Sequence, residues 1–135
     1  MNIDKYCVSV KELINHDDKF YAHINGNRVE TINEHIELCI KYFKKLVCIK
    51  NIDTIIKKII QSNQYIQDDV FTELFINTIV FHDIGKINPK FQTDKMNNNY
   101  LKNIVPEKNN QSKHSLLSAY IYIAYYNDKV KDLPQ

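Results

Sequence analysis

Arginine is almost missing from this chain: Arg28 is the only one, and lysine carries nearly all the positive charge. The formal net charge is +2. That is too small to argue for nucleic acid on total charge, because electrostatic binding needs a local basic patch. Cysteine is scarce as well. Cys7, Cys39 and Cys48 are odd in number and none sits in a Cys-x-x-Cys unit. This argues against a disulfide framework or a zinc ribbon and fits free thiols in a reducing compartment. Long apolar runs are also missing. Residues 116–126 form the longest greasy stretch, far short of a bilayer crossing. Residues 1–13 alternate charge and apolarity without the apolar core of a signal peptide. The expectation is a cytoplasmic protein with no membrane contact. The 135 residues suffice for one domain with a true core, and no repeat or linker divides them.

What is present reads mostly as helix. Thr31 and Glu34 have capping-box spacing, in which each side chain satisfies an orphan donor of the first turn. Ile32, Ile36, Cys39, Ile40, Phe43 and Val47 follow at helical spacing. A second helix is expected over residues 52–60, capped by Asn51 or Asp53. A third is expected over residues 70–82, capped by Asp68 and Asp69, with Phe71, Leu74, Phe75 and Ile79 as its buried stripe. Gly85 is expected to end it in the left-handed conformation that glycine enters without strain. Pro89 opens a short helix through Met96. Residues 113–126 read as a last apolar helix, with Ser115, Leu116, Ala119, Tyr120 and Ile123 along it. Residues 97–99 and 105–112 read as polar loops, and residues 6–13 are ambiguous. Residues 20–24 have an extended pattern before the turn signal Asn25-Gly26-Asn27. Little reads as strand, so the expected fold class is all-α.

The informative run is Phe81-His82-Asp83-Ile84-Gly85-Lys86. A histidine and a carboxylate stand adjacent at the end of an apolar helix, where both can reach one ion placed off the helix end. An imidazole with a carboxylate suits a divalent transition ion better than a hard all-oxygen site, and the two carboxylate oxygens can bridge two ions. The dipeptide alone proves nothing, because His16-Asp17 repeats it in a polar loop. His35 sits one turn into the capped helix, bordering the core. It reads as a satisfied core histidine or as an inward ligand. His114 opens the last helix, where the partial positive charge of a helix N-terminus favours a neutral imidazole. Lys86 reads as a solvated helix-end cation or as a group that steadies a phosphate beside a metal. His23 and Asn88 are weaker candidates for substrate contact.

Together these motifs resemble the HD superfamily of metal-dependent phosphohydrolases. Within it they look like the HD nuclease domain of the CRISPR type I helicase-nuclease effector. The resemblance rests on Tyr21-Ala22-His23, Glu30-Thr31 with Glu34-His35, and the His-Asp run continuing into Ile87-Asn88-Pro89-Lys90-Phe91-Gln92. Lys95-Met96 and Lys113-His114-Ser115-Leu116-Leu117-Ser118-Ala119 complete it. It implies a helical HD bundle with two divalent ions (Mn, Ni, Co or Mg type) that degrades single-stranded DNA. The implied partners are a superfamily 2 helicase, in cis or in trans, and an RNA-guided CRISPR surveillance complex. By position, His35, His82 and Asp83 resemble ligands of the first ion, with Asp83 the bridge and His114 a ligand of the second. Asp83 and Lys86 resemble the catalytic pair.

The family pattern also needs later histidines and a late aspartate. After His114 this chain has no histidine, and its acidic residues there are Asp128 and Asp132. Residues 1–135 are therefore expected to form the N-terminal portion of one HD-type nuclease domain, incomplete at the C-terminus, with core surface left exposed. Two alternatives stand beside the nuclease. One is an HD phosphohydrolase acting on nucleotides in a small closed pocket. The other is a catalytically incomplete remnant or binding module, with residues 97–112 as a contact surface.

Overall fold

Two single-turn helices, α1 (Ile3–Tyr6) and α2 (Val10–Leu13), open the chain. In the computed structural model, which describes residues 1–63, 67–104 and 113–131, a 3-10 turn at Asp17–Lys19 then leads into a β-hairpin. Its strands are β1 (Tyr21–Asn25) and β2 (Arg28–Thr31). The long helix α3 (Ile32–Lys50) follows without a loop, and then α4 (Ile52–Gln61) and α5 (Asp68–Phe81). A 3-10 turn at Ile84–Ile87 joins α5 to the short helix α6 (Pro89–Asp94). A further 3-10 stretch at Asn99–Ile104 precedes α7 (His114–Lys131). The expected all-α class holds, and the hairpin is the one sheet among the described residues. The extended pattern at residues 20–24 is its first strand. The second strand, Arg28–Thr31, was not expected, because four residues ending in a helix cap carry too short an alternation to register.

The start of α3 is built as its sequence dictates. Glu34 N–H donates to Thr31 Oγ1 at 3.2 Å, and Thr31 N–H donates to Glu34 Oε2 at 2.8 Å. Both orphan donors of the first turn are thus satisfied. Ile32, Ile36, Phe43 and Val47 form its buried face. Asn51 ends α3 in the left-handed conformation, φ 49°, and makes no side-chain cap to α4. The expected Asn51 cap is therefore a helix stop instead. Such a stop is a usual use of asparagine, which tolerates φ > 0.

Helix α5 corrects the expected stripe. Its buried positions are Thr72, Ile76, Asn77, Val80 and Phe81, while Phe71, Leu74, Phe75 and Ile79 are only partly covered. The helix is apolar around much of its circumference and packs against α1, α3, α4 and α7. In such a helix the pattern does not reveal which face is deepest. Asn77 is fully buried and fully engaged. Its amide nitrogen donates to the carbonyls of Tyr6 and Glu73, and its oxygen accepts from Val8 N–H. This pins the N-terminal segment across α5. The helix is preceded by Gln67 as its cap residue, with Asp68 and Asp69 inside its first turn, where carboxylates complement the helix dipole.

Gly85 also departs from expectation. It has no positive φ and lies in the 3-10 turn after α5. Its role is close approach. A Cβ at this position would stand 2.1 Å from the His114 carbonyl oxygen and 2.6 Å from the Ser118 nitrogen. Ser118 Oγ accepts a hydrogen bond from Gly85 N–H at 2.8 Å. The His-Asp turn is thereby docked on the first turns of α7. Phe81 adds an aromatic contact there, with ring centroids 5.3–6.0 Å from Tyr122, Tyr125 and Tyr126. The other face of α7 is bare: Leu116 is 74% exposed, Tyr120 69% and Ile123 64%. Residues 105–112, expected to form a polar loop, lie outside the described residues, as does Asp132.

Candidate metal centre

Three elements bring the expected histidines to one carboxylate. His35 comes from the second turn of α3, His82 and Asp83 from the end of α5, and His114 from the first residue of α7. Asp83 Oδ2 lies 3.1 Å from His35 Nε2 and 3.4 Å from His82 Nε2. Its other oxygen, Oδ1, lies 3.4 Å from His114 Nε2. The two imidazole nitrogens of His35 and His82 are themselves 3.4 Å apart. The Asp83 side chain is 14% exposed, while His82 and His114 are 40% and 32% exposed. The carboxylate is thus sheltered, as is His35 at 16%, while His82 and His114 open to solvent.

The outer ring nitrogens decide what the inner ones can do. His82 Nδ1 faces the Ile79 carbonyl at 2.6 Å, and a carbonyl only accepts, so Nδ1 carries the proton. His35 Nδ1 faces Glu30 Oε2 at 3.5 Å. In its neutral form His82 then turns a bare Nε2 lone pair toward Asp83 Oδ2, and His35 does the same in the tautomer protonated on Nδ1, the nitrogen that faces Glu30. Three electron-pair donors within 3.1–3.4 Å of one another repel unless a cation stands among them. Imidazoles held by a carbonyl and a carboxylate on their far nitrogens are the usual supports of metal-ligating histidines. The donor set present therefore fits a divalent transition ion.

Lys86 is buried, its side chain 5% exposed. Its ammonium donates to Asp83 Oδ2 at 2.8 Å and to the Ala22 carbonyl at 3.2 Å, and lies 3.2 Å from His23 Nε2. Burial pushes the Asp83 carboxyl up, but the Lys86 hydrogen bond and charge, with His82 and His35, outweigh it and hold the carboxyl below its ordinary range. Burial lowers the His35 imidazole, helped by Lys86 and His23 and opposed by Glu30 and Asp83. His23 and Glu30 face each other across the hairpin, so β1 and β2 deliver one neighbour each to Lys86 and to His35. Asn88 caps α6, its Oδ1 accepting from the Lys90 and Phe91 amides. His16 stands in the turn before the hairpin with φ 58°.

Sequence reasoning missed two neighbours. Cys39 reads in the sequence as part of the apolar stripe of α3, yet its Sγ is 3.7 Å from His35 Nε2. The His-x-x-x-Cys spacing was the available signal, since residues four apart share a helix face. Burial, with the Asp83 and Glu30 carboxylates, pushes its thiol up. Glu30 is legible in the sequence only as part of a motif, without a role. The described residues offer two overlapping groups of nearby ligand atoms, His35–Cys39–His82 and His23–Glu30–His35.

A helical domain with a His-Asp pair at a helix end, and further histidines converging on that aspartate, defines an HD-type metal-dependent hydrolase. The chain belongs to the Cas3 HD domain family, whose model matches residues 42–133. Membership implies a metal-dependent nuclease or phosphohydrolase role in CRISPR systems and the binding of divalent ions. The match contains His82, Asp83, Lys86 and His114, but His35 lies before it. The place of His35 in the cluster rests on geometry. No curated protein and no solved structure matches the chain. No described helix is long and apolar enough to cross a membrane.

Proposed function

We propose that this chain hydrolyses phosphodiester bonds of single-stranded DNA in a CRISPR type I system, in the cytoplasm, beside a superfamily 2 helicase and an RNA-guided surveillance complex. The observation that carries the proposal is Asp83, whose two oxygens face two histidines on one side and a third on the other. His35, His82 and Asp83 would hold a divalent ion, which would supply Lewis-acid charge to the phosphate. His114, on the opposite oxygen of the carboxylate, would contribute to a second ion site, with Asp83 shared between the two. Residues 1–135 act as part of a single HD-type nuclease domain.

Lys86 acts as a positioning residue. Its ammonium is engaged by Asp83, Ala22 and His23, and it holds Oδ2 toward the histidines. His82 and His114 form the solvent-facing rim on which a phosphate arrives. His23 and Asn88 are the weaker substrate contacts. An open rim favours a strand over a free nucleotide, because a small nucleotide site encloses its ligand. An apolar groove between α5 and α7, lined by Thr78, Phe81, Ser115 and Ala119, runs up to His82.

The test compares single-stranded DNA with free nucleotides in the presence of Mn2+, Co2+ or Ni2+, with and without chelator. The proposal expects DNA cleavage that is lost with chelator and in Asp83→Ala. Undiminished cleavage by Asp83→Ala would sink the mechanism. Faster turnover of nucleotides would favour the nucleotide phosphohydrolase. Absence of both metal binding and turnover would favour a binding module.

A further inference from the structure

Cys39 differs from the other two thiols in what it faces. Cys48 is exposed, and Cys7 packs against the apolar core with its thiol 4.0 Å from the Val8 carbonyl. Cys39 lies one helical turn after His35 on α3, and residues at this spacing stack on one face. Its Sγ stands 3.7 Å from His35 Nε2. The ligand atoms of His35, Cys39 and His82 all lie within 4.8 Å of one another. For an ion with four tetrahedral donors, bond lengths of about 2.05 Å to nitrogen and about 2.3 Å to sulfur fix the edges of the polyhedron. The nitrogen–nitrogen edge is then about 3.3 Å and the nitrogen–sulfur edge about 3.6 Å. The 3.4 Å between His35 and His82 and the 3.7 Å between His35 and Cys39 have these lengths.

We propose that Cys39 supplies a sulfur donor to the ion held by His35, His82 and Asp83, and that this sulfur selects a borderline transition ion such as Zn2+, Co2+ or Ni2+ over Mg2+. The inference rests on the metal-centre reading above. Soft sulfur favours these ions, whereas Mg2+ takes oxygen donors in an octahedron and keeps its waters. On ligation the thiol proton leaves to solvent, so binding releases one more proton than the histidines and carboxylate alone account for.

The test is a Co2+ titration of the full chain carrying Cys7→Ser and Cys48→Ser, which leaves Cys39 as the sole thiol. The expected spectrum has visible ligand-field bands and a near-ultraviolet sulfur-to-cobalt charge-transfer band, both saturating together. Adding Cys39→Ser removes the charge-transfer band, keeps ligand-field absorption and weakens Co2+ on the order of tenfold or more. It also narrows the preference for Zn2+ over Mg2+. Ligand-field bands without the charge-transfer band overturn the sulfur donor and leave the histidine centre standing. Absence of any cobalt spectrum overturns both. Should Cys39→Ser not fold, alkylation of the wild-type chain decides instead. Zn2+ is expected to slow iodoacetamide modification of Cys39 while exposed Cys48 reacts as before, and modification of Cys39 at the same rate with and without Zn2+ overturns the proposal.

Discussion

Lys86 Nζ and Asp83 Oδ2 form a buried ion pair at 2.8 Å, three residues apart in the turn that carries the His-Asp motif. Neither group is placed there for stability alone. A buried pair is at best near neutral against apolar residues of the same shape, but losing one partner leaves the other charged and unmatched. The expected cost of Asp83→Ala in the metal-free chain is therefore on the order of 3 kcal/mol. Lys86→Met should cost less, because the aspartate left behind, 14% exposed, keeps partial contact with water, whereas the ammonium left by Asp83→Ala is 5% exposed. Urea unfolding of both variants checks the order, and a larger loss from Lys86→Met would contradict it.

Acid should destabilise the metal-free chain in two steps, and the sign follows from both groups. His35 is held below its ordinary value of 6.5, so the unfolded chain takes up its proton first and stability falls as pH drops through the imidazole range. Asp83 is also held below its ordinary value, 3.8. Its contribution is full above that value and is lost as pH falls through the lower folded one. Urea midpoints measured downward from about pH 8 should decline through the first window, and His35→Gln should flatten that decline. A midpoint that rises on acidification to about pH 6 would contradict the sign.

Gly85→Ala should be far more damaging than Gly26→Ala. At position 85 the new methyl meets backbone atoms of α7 at 2.1 and 2.6 Å, which no side-chain rotation relieves. At position 26 there is open space, and the strain comes only from φ +60°. The expected losses are about 3 kcal/mol or more against about 1 kcal/mol. Thermal unfolding checks stability, and metal affinity should fall in Gly85→Ala because His114 shares the displaced turn.

Thr31→Ala removes the side-chain acceptor for Glu34 N–H. A loss of about 1 kcal/mol is expected. His35 lies in the next turn, so fraying at this end should also weaken metal binding. Thr31→Ser restores the acceptor and should restore both readouts. Failure of the serine variant to do so would place the effect elsewhere.

Gln92→Ala should be the most disruptive polar change outside the histidine cluster. The side chain is fully buried. It bonds the Tyr21 N–H and carbonyl, each at 2.9 Å, and the Lys86 carbonyl and Asn98 amide, each at 2.7 Å. Removing it orphans several buried groups, at roughly 1–3 kcal/mol each before relaxation. Gln92→Leu keeps the volume and should recover little, which urea denaturation would show.

The chemistry of the site was more legible than its supports. His82 and Asp83 are adjacent in sequence, and the capping box at Thr31 set the phase that turns His35 inward. Those signals are local. Cys39 was absorbed into an apolar stripe because a thiol reads as a small hydrophobe until a nitrogen is seen beside it. The buried face of α5 escaped because an all-round apolar helix does not reveal its phase. Gly85 was read through backbone conformation, whereas its cause is the approach of a helix from far along the chain. The hairpin was half visible, since β2 merges into the cap of α3.

The side chain of Gln92 has one more effect, on the outer edge of β1. A two-stranded ribbon leaves unpaired amides and carbonyls on both flanks, and such flanks recruit foreign strands. At Tyr21 the amide oxygen and nitrogen of Gln92 take the two positions that a neighbouring strand would occupy. The ribbon is closed off there by a glutamine from a helix. A sheet cannot grow past it, and the strand that carries His23 keeps its alignment against self-association.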